Sequence, residues 1–148
     1  MTAASVPAEL LADIARHGEE TYPDECCGFL VGTATGEERH VTRIERAANQ
    51  FDGQRRRRFV IRPEELRRVE EKLEGTCQSV LGFYHSHPDH PARPSAFDRD
   101  HAWPWYLYIV LNVAEGHAGP VDAFELEPET REFHAVPFRS APPPRART

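Results

Sequence analysis

The sequence predicts a single α/β domain of the α+β kind, a mixed β-sheet packed by helices. Three observations lead there. The chain has 148 residues, enough for one domain with one core. Segments with helical periodicity are few and separated by short apolar or alternating segments that read as strands. Their order is helix, strands, helix, strand, helix, strands, so no parallel βαβ series runs through the chain. A full (β/α)₈ barrel, the other common home of an H-x-H pair, needs about 250 residues.

Taken in order, Pro7 to Glu20 predicts an amphipathic helix, with Leu10, Leu11, Ile14 and Ala15 at helical spacing and Tyr22-Pro23 ending it. Cys26 to Gly32 is a short apolar run bounded by glycine, a buried strand. Thr35 to Glu38 is a turn, and His40 to Ile44 alternates like the returning strand. Asn49 to Arg58 is polar and irregular, a loop, followed by a brief strand at Phe59 to Ile61. Pro63 suits the first position of a helix, Leu66, Val69 and Leu73 mark its buried face, and Gly75 ends it. Gln78 to His87 is a strand, Pro88 to Pro94 an ordered loop, and Ser95 to about Trp103 a short helix. Tyr106 to Val113 is the most strongly β-forming segment. Strands near Val121 to Leu126 and Phe133 to Phe138 complete the domain, over residues 1–138, and residues 139–148 are expected to form a disordered tail.

Composition narrows the function classes. Eighteen basic against twenty-four acidic residues give a net charge of -6, which argues against a nucleic-acid partner. The one dense basic run, Arg55 to Arg58, reads as a solvated loop or as a landing site for an acidic partner. No apolar run approaches the roughly 18 residues of a membrane span. The N-terminus lacks the basic region of a signal peptide. Three cysteines, two of them adjacent, make no disulfide framework. The expectation is a soluble cytoplasmic protein with reduced thiols and no membrane association.

The chemistry concentrates in F-Y-H-S-H-P-D-H-P-A-R-P-S-A-F-D, Phe83 to Asp98. Residues two apart on a strand share a face, so His85 and His87 project together, with Leu81 and Phe83 behind them. Two imidazoles at the end of an apolar face suit a zinc ion, which takes three protein ligands in catalytic sites. Asp98 or Asp100 is close enough in sequence to supply the third. His90 and His101 read as surface residues. Ser95 and Asp98 also resemble a capping box, which needs no metal.

Four separately placed elements together resemble the JAMM metalloprotease motif, also called MPN+. Its Glu stands in Glu25-Cys26-Cys27-Gly28-Phe29-Leu30-Val31-Gly32, its H-x-H is His85 and His87, ten residues separate His87 from Asp98, and Ser95 lies three before Asp98. The Trp103-Pro104-Trp105 segment also looks like family members. The resemblance implies a mainly antiparallel, curved or barrel-like sheet, similar to the cytidine deaminase fold. It implies His85, His87 and Asp98 as zinc ligands, Glu25 as general base and Ser95 as oxyanion donor. The short D-E-C-C-G-F-L-V-G form resembles bacterial members that hydrolyse an amide bond at the C-terminus of a ubiquitin-like sulfur-carrier protein, in one branch releasing cysteine. A catalytically silent MPN scaffold is the alternative, although such domains usually lose motif residues. A nucleoside deaminase would need H-x-E and P-C-x-x-C, neither of which occurs. Cys26 or Cys27 as a thiol nucleophile beside His85 is a weaker reading.

Overall fold

The computed structural model describes residues 3–140. Eight strands and three helices follow in the order β1 (Ala3–Ser5), α1 (Ala8–Thr21), β2 (Cys27–Thr35), β3 (Glu38–Ala47), α2 (Pro63–Leu73), β4 (Ser79–Pro88), α3 (Ala96–Asp100), β5 (Leu107–Ala114), β6 (His117–Leu126), β7 (Phe133–Ala135) and β8 (Phe138–Arg139). All strands join one sheet in the order β7-β6-β5-β4-β2-β3-β1-β8. The pairs β4–β5, β1–β3 and β1–β8 are parallel, and the other four are antiparallel. The expected mixed, mainly antiparallel sheet is therefore present.

The sheet must curl. Its two outermost strands, β7 and β8, are separated in the chain by only Val136 and Pro137. Three peptide steps reach about 10 Å at most, so the two edges approach each other and the sheet nearly closes. The linker is tied on both sides: Val136 N–H donates to Ala123 O at 2.8 Å, and Ala4 N–H to Pro137 O at 3.0 Å. One strand over Phe133 to Phe138 was expected. Pro137 has no N–H to continue a ladder, and the two halves serve opposite edges. The ordered chain also runs past residue 138. Arg139 pairs in β8, and Ser140 O accepts from Ala8 N–H at 3.0 Å. The rest of the expected disordered tail, residues 141–148, lies outside the described residues.

Helices cover both faces of the sheet. On one, α1 presents Leu10, Leu11 and Ile14 to Leu30, Leu81, Ile109, Leu111 and Val113. On the other, α2 packs Leu66, Val69 and Leu73 against Phe29, Val31, Phe83 and Tyr108. The periodicity of both helices thus named their buried sides. Phe59 to Ile61 is not a strand. Strand β4 already has β2 and β5 as neighbours, so this extended segment has no sheet edge to join and lies across a face instead. Leu81 differs from expectation too. The register slips where Leu30 pairs Gly82 but Val31 pairs Val80. This bulge turns Leu81 to the α1 side, while Phe83 stays on the face of His85. The β5–β6 hairpin starts earlier than expected because Glu115 (φ 49°) and Gly116 (φ 83°) form its two-residue turn.

Candidate metal centre

Register assembles the site. Cys27 pairs with His85 and Phe29 with Phe83 across the antiparallel β2–β4 ladder. One residue further on, Ser86 N–H bonds Cys26 O at 3.1 Å, which carries Glu25 to a position beside His87. Directly opposed residues share a face, so Glu25, His85 and His87 converge on the α2 side of the sheet. Their donor atoms lie within 4.8 Å of one another, and all three side chains are buried. On the opposite face, the Tyr84 ring lies over Gly28, where any Cβ would overlap it, and its hydroxyl meets His17 Nδ1 at 2.8 Å. The glycine of E-x-x-G is therefore a close-approach glycine.

Asp98 arrives from α3. Ser95 is its N-cap: Ser95 Oγ accepts from Asp98 N–H at 3.1 Å, and Asp98 Oδ2 accepts from Ser95 N–H at 2.9 Å. The capping box is real, and it is also what aims the carboxylate. The same Oδ2 lies 3.1 Å from His85 Nε2 and 3.0 Å from His87 Nε2, and the two Nε2 atoms are 3.1 Å apart. Cap and metal ligand are thus compatible roles for one side chain. Asp100, His90 and His101 are exposed, and none joins this triangle.

The donor set fits a zinc ion. Ligand atoms of a tetrahedral ion with bonds of about 2.0–2.1 Å are about 3.3 Å apart, so the 3.0–3.1 Å triangle needs only slight expansion. His87 Nδ1 sits 2.8 Å from Pro91 O. A carbonyl only accepts, so in neutral His87 the proton is on Nδ1 and the Nε2 lone pair faces the triangle centre. Neutral His87 and an ionised Asp98 can face each other at 3.0 Å only with a cation between them, and without one a proton on Nε2 takes its place. Burial acts to raise the Asp98 carboxyl, but the His85 charge and hydrogen bonds from His85, His87 and Ser95 N–H outweigh it and hold it well below the usual range. Glu25 is the reverse case. Burial, then the charge of Asp98, push it up to about 9, against a small opposing effect of Arg58. Among the described residues its Oε1, which is buried, has no hydrogen-bond partner.

Several supporting residues had no motif to announce them. Asn49 Nδ2 donates to Glu25 O at 3.2 Å and to Arg58 O at 2.9 Å, while its Oδ1 accepts from Phe51 and Val60 N–H. With Glu25 N–H bonded to Arg55 O at 2.7 Å, the 49–60 loop fixes the backbone of Glu25 from both sides. Phe59 stacks on His85 at 4.4 Å. Ser86 Oγ accepts from Cys26 N–H at 2.8 Å, joining β2 to β4 between the two histidines. An asparagine opening an irregular polar loop was the one available hint. The thiols are unsuited to nucleophilic attack, because burial pushes Cys26 up to about 11 and raises Cys27 further.

Comparison with known proteins gives the family and the fold. A profile of prokaryotic homologs of the JAB domain matches residues 7–127. The chain belongs to this family. Its JAB domain is 34% identical over 113 residues to the desampylase of Haloferax volcanii, covering 73% of this chain and 79% of that protein. The solution structure of a Salinibacter ruber protein superposes with a TM-score of 0.69 at 34% identity, covering 99% of this chain and 97% of that one. A Desulfitobacterium hafniense protein shares the fold with a TM-score of 0.79 at 24% identity, over 92% and 91% of the two chains. Among the described residues no helix is long and apolar enough to cross a membrane.

Proposed function

We propose that this JAB-family chain is a zinc-dependent peptidase that hydrolyses an amide bond at the C-terminus of a ubiquitin-like sulfur-carrier protein. The observation that carries the reading is the buried triangle of His85 Nε2, His87 Nε2 and Asp98 Oδ2 beside an unpartnered Glu25 carboxylate oxygen. The likeness to a desampylase supports a ubiquitin-like substrate. The cysteines are free, in keeping with a reducing, cytoplasmic setting.

In this reading His85, His87 and Asp98 hold the zinc. Bound there, zinc would lower the pKa of water toward about 7 and polarise the scissile carbonyl. Glu25 takes a proton from the attacking water and delivers it to the leaving nitrogen as the C–N bond breaks. Ser95 Oγ uses a lone pair on Asp98 N–H, so its hydrogen remains free to stabilise the developing oxyanion. Pro91 O fixes the His87 tautomer, and Asn49 and Arg55 fix Glu25.

The test uses a carrier protein extended by one C-terminal residue and intact-mass spectrometry. The zinc-loaded protein should release that residue, and Glu25→Gln should lose the release while keeping stoichiometric zinc. Full activity in Glu25→Gln, or in protein freed of metal, would refute the reading.

A further inference from the structure

The cleft that reaches Glu25, His87 and Ser95 is also lined by Arg57, Arg58 and Arg93. Among the described residues none of the three arginines has a carboxylate within ion-pair distance. This basic rim stands out on a chain with a net charge of -6. Arg58 is also held in place. The Arg58 guanidinium lies 4.5 Å over the Phe97 ring, next to Asp98 in the chain, and Asn49 bonds the backbones of Glu25 and Arg58 together. Guanidiniums without a carboxylate partner among the described residues, that of Arg58 fixed beside an acid–base group, are suited to a planar anion carried by the substrate.

The position narrows which anion. Glu25 must face the leaving nitrogen to protonate it. In a C-terminal residue that nitrogen is two bonds from a free α-carboxylate. In an isopeptide to a lysine side chain, the same place is a neutral methylene. We propose that Arg58 and Arg93 hold the α-carboxylate of a single leaving residue, so that the chain releases a C-terminal amino acid in preference to splitting an isopeptide bond. This rests on the amide-hydrolase reading above. The reaction itself is balanced hydrolysis: water oxygen bonds the carbonyl carbon, the C–N bond breaks, and a water proton passes through Glu25 to the departing amine.

Three probes test it on the zinc-loaded full chain: acetyl-Gly-Gly-Ala as free acid, the same peptide as carboxamide, and acetyl-Gly-Gly joined to the ε-amine of lysine amide. Cleavage is followed by mass spectrometry and binding by calorimetry. The free acid should show kcat/KM at least tenfold above the other two, about 1.4 kcal/mol. Arg58→Gln and Arg93→Gln should bring the acid-to-carboxamide ratio toward one, and Arg58→Lys, which keeps the charge but not the fork, should keep part of it. Equal rates for acid and carboxamide, or a preference that survives in both glutamine variants, would overturn the proposal. If no probe is cleaved with zinc bound, the hydrolase reading falls instead. Binding then decides the arginines: an acid preference lost in the variants upholds them, and equal binding of acid and carboxamide overturns them.

Discussion

Glu25→Gln should make the metal-free protein more stable while it abolishes catalysis. Glu25 is 4% exposed, and burial with the Asp98 charge raises its pKa from 4.5 to about 9. Below pH 4.5 the carboxyl is protonated in both folded and unfolded chains, and glutamine should make little difference. As pH rises past 4.5 the unfolded chain ionises while the folded one does not, so the wild type loses stability relative to the variant. The gap grows by about 1.4 kcal/mol per pH unit. At pH 7 it reaches roughly 3 kcal/mol, and it levels off above pH 9. Urea unfolding followed by far-UV circular dichroism, in chelator at pH 4 and pH 7, measures it. Zinc should narrow the gap, because a nearby cation favours the carboxylate. A gap that is absent at pH 7 in chelator, or unchanged between pH 4 and pH 7, would refute the reasoning.

The remaining predictions concern the supports of the site. Asp98→Asn removes the charge from the triangle but keeps a capping oxygen, so α3 should persist while zinc affinity, read by competition with a chromogenic chelator, falls by at least tenfold. Gly28→Ala forces a methyl group into the Tyr84 ring and should cost about 1–3 kcal/mol in urea unfolding, with activity falling because His85 follows Tyr84 in the chain. His17, whose pKa is lowered to about 4, chiefly by burial and then by Arg46, makes the opposite pH window. Its neutral form is native, so stability is fully present above pH 6.5 and falls as pH drops toward 4, by about 3 kcal/mol in all. A His17→Gln variant should show a shallower loss over that window, and an unchanged slope would remove His17 as the cause.

Much of the fold could be read from the chain because local physics dictates it. Leu10, Leu11 and Ile14 at helical spacing had to face a core, and Leu66, Val69 and Leu73 likewise. The candidate site could be read for a different reason. The pairing of His85 with His87 is a two-residue strand relation, and the ten-residue return to Asp98 with Ser95 three before it is a short-range motif. Ser95 and Asp98 form a local cap that holds even within five residues of helix.

What only tertiary structure decided is longer in range. Whether Phe59 to Ile61 is a strand depends on a free sheet edge, and β2 and β5 had already taken both edges of β4. The break at Pro137 depends on two distant strands, β6 and β1, competing for adjacent residues. The bulge that turns Leu81 away from His85 comes from register with β2. Asn49 became part of the site only when its loop folded back on Glu25. Sequence by itself determined which groups could do the chemistry, since ligand type and face are properties of short segments. Their separation of about 3 Å, and the surroundings that set Glu25 and Asp98 apart in proton affinity, burial for the one and the histidines with Ser95 N–H for the other, were decided by the curled sheet, because such effects depend on everything packed around a group.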